Sequence, residues 1–427
     1  MLASQLGALL RERSGGRTPL IVLGGDTRES TLGICRWLAA GLHAGGSEAE
    51  VRYAGVIPTP GVAWLTHQLG AAAGAVVSAS HNPYPDNGIK LIDPRGLKWS
   101  EEEEAVLEQR LDGSVPVAAA EPDLAPEPGL QERYLRHLVA GVPGERPLDG
   151  LKIVLDAGNG AASSYAGPLF ERLGARVTLL HAAPDGRNVN AGCGSTAPAE
   201  MAARVVAEGA DLGAAFDGDA DRCILADERG EVRDGDAILY LWATGLRSQG
   251  RLEPARIVAT SMSNLGLERA LAREGIGIER CDVGDRSVVE MMAREGIVLG
   301  GEQSGHIVQS ALTSTGDGLL TAVQMAALLR RAGRPLSRML AGFRRYPQIL
   351  LNVRVARKPD LATLPRIAAA ARTVEERLGA DGRLVLRYSG TEPLARVMIE
   401  GPDQPTIDEL AGELAGVIAE EIGSLPS

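Results

Sequence analysis

Lysine is almost missing from this chain. Of 44 basic residues only four are lysine: Lys90, Lys98, Lys152 and Lys358. Arginine keeps its charge at any working pH, whereas lysine can give up a proton when its surroundings lower its pKa, so a retained lysine is a candidate for chemistry. Lys90 lies ten residues past a candidate nucleophile, Ser80; the other three read as surface residues. Cysteine is equally sparse. Cys35, Cys193, Cys223 and Cys281 are scattered with no C-x-x-C pair. That argues against a disulfide framework or a zinc site and fits reduced thiols in a cytosol. No apolar run approaches the roughly 18 residues of a membrane span. In Met1-Leu2-Ala3-Ser4-Gln5-Leu6 the charges come after the apolar stretch, the wrong polarity for a signal peptide. A basic excess is lacking too: the net charge is −11, which argues against a nucleic-acid partner. Any anionic ligand must then be attracted by locally placed cations.

What is present is ordinary globular composition, 44% hydrophobic and 23% charged, over 427 residues. That length calls for several domains. Leu20 to Leu23 reads as a strand, followed by the loop Gly24-Gly25-Asp26-Thr27-Arg28 and a helix to about His43. Gly74 to Val77 is a short buried strand feeding a serine loop whose Pro83, Pro85, Asn87 and Gly88 force tight turns. Ile89 to Ile92 and Leu97 to Trp99 read as a hairpin, and Val115 to Pro128 as a linker. A helix over Leu130 to Val139 precedes a β-α-β unit: Lys152 to Leu155, a helix to Leu173, and Arg176 to Leu180. Ala199 to Glu208 is a helix stopped by Gly209, and Leu212 to Phe216 is a strand. Strands at Arg256 to Ala259, Gly277 to Arg280 and Ile297 to Leu299 alternate with helices at Asn264 to Arg273 and Asp285 to Arg294. The last region alternates over Ile349 to Val355. It adds a helix over Leu364 to Leu378, strands at Leu384 to Leu386 and Arg396 to Ile399, and a helix from near Thr406. The reading is α/β: three similar α/β modules, 1–125, 126–236 and 237–345, then an α+β module, 346–427.

Four segments carry chemistry. Ser78-Ala79-Ser80-His81-Asn82-Pro83 offers a serine on a turn-rich loop, and a serine needs a base or a metal to become nucleophilic. His81 and Lys90 are near it in sequence. Asp217, Asp219 and Asp221 fall at i, i+2, i+4, which in an extended segment points all three carboxylates one way. Such like charges repel unless a cation binds, and hard oxygens suit Mg²⁺ or Ca²⁺. An EF-hand is disfavoured, since Arg222 stands at the sixth position, where the sharp turn needs glycine. In Gly301-Glu302-Gln303-Ser304-Gly305-His306, alternate polar groups can face one ligand; Glu302 accepts hydroxyls, and His306 is suited to acid/base or structural work. Arg387, Ser389, Gly390, Thr391 and Arg396 combine two guanidiniums, two hydroxyls and a glycine turn, a phosphate nest.

With these four motifs go Asp185-Gly186, Gly192-Cys193-Gly194-Ser195-Thr196, Ser263-Asn264-Leu265-Gly266-Leu267, Val283-Gly284-Asp285-Arg286 and Thr315-Gly316-Asp317-Gly318. On these residues the chain resembles the α-D-phosphohexomutases from about Val22 to the C-terminal helix, and Gln303 resembles their glucosamine branch. The resemblance implies four domains around a central cleft, each giving one motif. It implies a phosphoserine at Ser80, and one Mg²⁺ held by Asp217, Asp219, Asp221 and the seryl phosphate. Ser80, His81 and Lys90 would be catalytic. Arg222, Glu302, Ser304, His306, Arg387, Ser389, Gly390, Thr391 and Arg396 would bind the substrate. It implies a cytoplasmic enzyme of amino-sugar metabolism that exchanges glucosamine 6-phosphate and glucosamine 1-phosphate and feeds peptidoglycan precursors. Its partner would be a phosphosugar, with no nucleic acid and no membrane, and the enzyme would be a monomer or a homodimer. Alternatives are a phosphomannomutase/phosphoglucomutase, a phosphatase that hydrolyses its own phosphoserine, and a non-catalytic paralogue. Two departures stand out. Tyr388 replaces a small residue or proline beside the phosphate loop. The family's opening Gly-Thr-Asp-Gly-Ile-Arg-Gly-like segment has no counterpart, and Gln5 to Arg13 reads as a helix instead. The expectation is a truncated start, a first sheet one strand short with an exposed edge, and the loss of a loop arginine near the serine.

Overall fold

The structure is a computed structural model that describes residues 1–43, 49–111, 122–389 and 392–423. Part of the expected linker and both Gly390 and Thr391 lie outside the described residues.

One strand plan is used three times. The first sheet contains β1 (Leu20–Gly25), β2 (Glu50–Val56), β3 (Ala73–Val77) and β4 (Ile89–Ile92), in the order β2-β1-β3-β4. The second contains β5 (Lys152–Asp156), β6 (Arg176–Leu180), β7 (Leu212–Phe216), β8 (Cys223–Asp227) and β9 (Val232–Arg233), in the order β6-β5-β7-β8-β9. The third contains β10 (Arg256–Thr260), β11 (Gly277–Cys281), β12 (Leu299–Gly301) and β13 (Ile307–Gln309), in the order β11-β10-β12-β13. In each, a β-α-β core is followed by a strand that turns back antiparallel: β3 to β4, β7 to β8 and β12 to β13. Strands β1, β3, β7 and β8 are buried along nearly their whole length. That explains their runs of Val, Leu, Ile and Ala rather than an alternation, as in sheets covered on both faces.

The fourth sheet is antiparallel throughout: β14 (Gln348–Arg354), β15 (Arg383–Tyr388) and β16 (Leu394–Glu400), in the order β14-β16-β15. Helices Pro365–Leu378 and Gln404–Ile422 supply Ile367, Val374, Ile407, Leu410, Leu414 and Ile418 to its single core. The chain divides into two compact units, residues 1–260 with 278–341 and residues 261–277 with 342–427. The crossover helix Leu265–Arg273 between β10 and β11 thus groups with the fourth sheet.

Several expectations shift. Leu97 to Trp99 does not form a full strand; one bridge joins Ile92 to Lys98, because the Asp93 carboxylate takes the Arg95 and Leu97 N–H groups. The strand expected at Ile297 to Leu299 falls at Leu299–Gly301. A 3₁₀ turn, Ala161–Ser164, precedes the helix Ala166–Arg172. The chain opens on the helix Leu2–Arg13, whose Ala3, Leu6, Leu9 and Leu10 join the first module's core. The outer edge of β2 is covered at its end: the Tyr53 carbonyl accepts from the Glu127 N–H, and those of Ala54 and Val56 accept from the Gln131 amide.

Candidate active site

All four motifs turn out to be the same kind of local structure. Ser80 lies between β3 and β4, Asp217 to Asp221 between β7 and β8, Glu302 to His306 between β12 and β13, and Ser389 to Pro393 between β15 and β16. Each is the connection of an antiparallel pair. A connection of this kind places a side chain above the end of a rigid sheet.

Ser80 is held under strain. Its φ is +52°, a left-handed conformation costly for a side chain with a Cβ. The strain is over-determined by its neighbours. The side chain of Arg28 is fully buried. It donates to the carbonyls of Ser80 (2.9 Å), Asn82 (2.8 Å), Asp86 (2.9 Å) and Pro83. Asp26 pairs with Arg28 and accepts from Ser78 Oγ, which in turn accepts from the Ser80 N–H. The Asn190 amide donates to the Ser80 and Asn82 carbonyls. The sequence marks residues 24–28 only as a loop and does not single out Arg28, which the fold brings against the serine loop. A charged pair in an Asp-x-Arg two strands before a serine loop was the available signal.

The Ser80 hydroxyl donates to Asp217 Oδ2 at 2.6 Å. Asp217 and Asp219 are fully buried and Asp221 nearly so, with one oxygen from each within 4.8 Å of the others. Convergence comes from a turn, not from the extended alternation expected: Ala220 has φ +55° and its N–H donates to the Asp217 carbonyl. Burial, then the charges of Asp221 and Asp219, drives the Asp217 carboxyl well above its ordinary range. Burial also acts against ionised Asp219, but the Lys90 charge and hydrogen bond outweigh it and hold that carboxyl below its usual value. Lys90 Nζ lies 2.6 Å from Asp219 Oδ2 and 3.6 Å from Asp221 Oδ2. Lys90 is therefore not tuned to lose its proton: burial opposes its charge, and the Asp219 and Asp221 carboxylates overcome that. Thr59, at the start of the helix Thr59–Gln68, donates through Oγ1 and N–H to Asp219; the sequence reading did not single it out. Asp219 Oδ1 and Asp221 Oδ1 remain buried without a partner. Two orphaned carboxylate oxygens beside a third carboxylate are a donor set for a hard cation.

His81 Nδ1 sits 3.4 Å from Ser80 Oγ. Burial, then the Arg222 charge, lowers its pKa, so the ring is neutral near pH 7. Arg222 is pinned by its N–H to Asp217 Oδ1. The sugar-loop residues divide. Ser304 is exposed and Glu302 half-buried, with one Glu302 oxygen accepting from the Gly284 N–H at 3.1 Å. Gln303 donates to Asp236 at 3.4 Å. His306 is 2% exposed and its Nε2 accepts from the Gly316 N–H at 3.1 Å, so its ring braces the Thr315-to-Gly318 segment. Lys98, read as a surface residue, pairs with Asp285.

In the second unit, Arg387 and Arg396 are direct cross-strand partners of β15 and β16. Like charges placed opposite destabilise a sheet unless an anion lies between them. Arg396 Nη2 reaches Glu392 at 3.1 Å, while its Nε is buried without a partner. Ser389 Oγ accepts from the Glu392 N–H, and Lys358 Nζ, also read as surface, donates to the Ser389 carbonyl. Tyr388 packs on the core of the fourth sheet, with its hydroxyl donating to the Pro359 carbonyl. The ring anchors the end of β15 to that core.

Comparison with known proteins agrees along the whole chain. Models of the phosphoglucomutase/phosphomannomutase family match in sequence order: domain I over residues 1–115, domain II over 132–230, domain III over 234–346, and the C-terminal domain over 350–417. A phosphoglucosamine mutase of Symbiobacterium thermophilum is 46% identical, covering 99% of this chain and 94% of that protein. One of Solibacter usitatus is 45% identical, covering 95% and 90%. Among solved structures, a phosphoglucomutase/phosphomannomutase family protein of Burkholderia thailandensis matches with a TM-score of 0.80 at 23% identity, over 100% of this chain and 94% of that one. An N-acetylphosphoglucosamine mutase of Aspergillus fumigatus, in complex with GlcNAc-6P and magnesium, matches with a TM-score of 0.64 at 21% identity, over 85% and 92%. The chain belongs to the phosphoglucomutase/phosphomannomutase family of α-D-phosphohexomutases.

Proposed function

We propose that this protein interconverts glucosamine 6-phosphate and glucosamine 1-phosphate through a phosphoserine at Ser80 and a bisphosphorylated sugar. The observation that carries the reading is the Ser80 hydroxyl, held by a strained, multiply bonded loop against three buried, converging carboxylates. The choice of glucosamine follows the phosphoglucosamine mutases that are 43–46% identical over nearly the whole chain.

Phosphorylated Ser80 gives its phosphoryl group to the free hydroxyl of the bound sugar phosphate, and Ser80 later takes back the other phosphate of the bisphosphate. Phosphoryl transfer of this kind needs positioning and charge neutralisation more than covalent help. Asp217, together with the orphaned oxygens of Asp219 and Asp221 and the seryl phosphate, would hold Mg²⁺, and the ion would supply that neutralisation when bound. Lys90 keeps an ammonium beside the same oxygens. Neutral His81 is placed to accept from or donate to the serine oxygen. Glu302 and Ser304 read hydroxyls that present alike in both orientations of the sugar. Arg387, Arg396 and Ser389, with Gly390 and Thr391, grip the phosphate that is not reacting. The four cysteines are free and buried, in keeping with work in a reducing cytoplasm on amino sugars bound for peptidoglycan precursors. Purified protein with Mg²⁺ and the 1-phosphates of glucosamine, glucose, mannose and N-acetylglucosamine tests the reading. The glucosamine compound should have the highest kcat/KM; a higher value for mannose 1-phosphate would make the protein a phosphomannomutase.

A further inference from the structure

The second sheet carries another cluster that the mutase reaction does not use. Asp156 ends β5, His181 follows β6, and Cys193 lies in the loop before the helix Ala199–Glu208. One carboxylate oxygen, one ring nitrogen and the thiol sulfur all lie within 4.8 Å of one another. Their spacing in sequence matches no zinc motif, which is why the sequence argued against such a site.

We propose that Asp156, His181 and Cys193 form a second metal site, for a borderline-soft divalent transition cation such as Zn²⁺. Three observations support it. First, His181 Nδ1 is buried and lies 3.1 Å from Asp156 Oδ1, yet the two are not aligned as a hydrogen bond. Donors about 2.0–2.1 Å from a tetrahedral ion stand roughly 3.3 Å apart, so this is the spacing of two ligands on one ion. Second, each donor already has the outer partner that a ligand needs. His181 Nε2 lies 3.3 Å from the Glu200 carboxylate, the pairing that leaves the other ring nitrogen free to ligate. Asp156 accepts the Gly158 and Gly194 N–H groups, both at 2.9 Å, and Asn159 Nδ2 points at Cys193 Sγ from 3.8 Å. Third, His181 holds φ at +46°, a strained conformation for a residue with a side chain. Mixed carboxylate, imidazole and thiol donors select a borderline-soft ion over the Mg²⁺ that suits Asp217, Asp219 and Asp221. Asp156 and Cys193 are fully buried, while the His181 side chain is 24% exposed and offers the route of entry.

The ion would brace the serine loop. Asn190, three residues before Cys193, donates to the Ser80 and Asn82 carbonyls. Tying Cys193 to the ends of β5 and β6 fixes the segment that carries it.

Co²⁺ titration of the chelator-stripped full chain tests the site, because a thiolate on Co²⁺ gives a near-ultraviolet charge-transfer band that carboxylates do not. The band should appear with one equivalent, persist in Asp219→Asn, and vanish in Cys193→Ser. With the triad weakened by Asp219→Asn, Zn²⁺ should still raise the melting temperature, and it should no longer do so once His181→Gln, a change at the more exposed ligand, is added. Absence of the band in folded wild-type protein at saturating Co²⁺ would overturn the proposal, as would a band that survives Cys193→Ser.

Discussion

In the proposed mechanism the serine-aspartate region and the arginine loop of the second unit each handle a phosphate, yet they are built differently. Around Ser80 the charges are buried and cross-bonded: Arg28 with Asp26 and four carbonyls, Lys90 with Asp219, Thr59 with Asp219, Ser80 with Asp217. Around Ser389 they are half-exposed and held from one side. Arg387 and Arg396 stand opposite each other in register, with Glu392 bonded to one of them. The difference follows the task. Atoms that form and break bonds need fixed geometry, because misplacement is costly in rate. A phosphate that is only gripped, and gripped in two orientations of the sugar, needs charge and donors but not one unique geometry.

Substitutions in the two regions should therefore fail in different ways. Ser80→Ala should abolish mutase turnover altogether, since a methyl group cannot carry phosphate, and intact-mass analysis should find phosphate on the wild type alone. Normal activity in the variant would remove the serine from the mechanism. Asp219→Asn takes one charge from the triad and leaves Lys90 and Thr59 only a neutral amide oxygen as acceptor. It should cut kcat on the order of 100-fold and weaken Mg²⁺ binding measured by calorimetry; unchanged affinity would separate the triad from metal. Arg28→Ala leaves Asp26 buried without its cation, which should cost about 3–5 kcal/mol of stability along with activity. An unaltered denaturation midpoint would show that the serine loop does not depend on it. In the second unit the pattern should reverse. Arg387→Ala or Arg396→Ala should raise KM by an amount worth roughly 1.5–3 kcal/mol, while stability stays level or rises by a few tenths of a kcal/mol as a like-charge pair is relieved. A large loss of stability in either variant would erase the contrast between the regions.

The sequence carried much of this. Runs such as Leu212 to Phe216 and Ala73 to Val77 are buried on both faces, so their strands were legible from composition, and the alternation of Ile349 to Val355 matched the one-sided fourth sheet. All four motifs were visible from their residue types alone; the strands Cys223–Asp227 and Ile307–Gln309 that close two of them were not legible. What was not visible was long-range pairing. Arg28 acts on carbonyls more than fifty residues away, and Thr59 acts on Asp219 across 160 positions. No local pattern encodes such contacts. Lys90 is a similar case: scarcity suggested a lysine with a lowered pKa, whereas the carboxylates brought to it by the fold hold it charged.

The most direct measurement follows a label out of Ser80. Protein carrying ³²P at that serine would be mixed with unlabelled glucosamine 6-phosphate and Mg²⁺, and the label traced over time. The account predicts that it leaves the protein for the sugar, appearing in the bisphosphate and in both monophosphates, with Ser80 phosphorylated again at the end. Label released as inorganic phosphate, or retained on Ser80 while sugar phosphate is turned over, would contradict it.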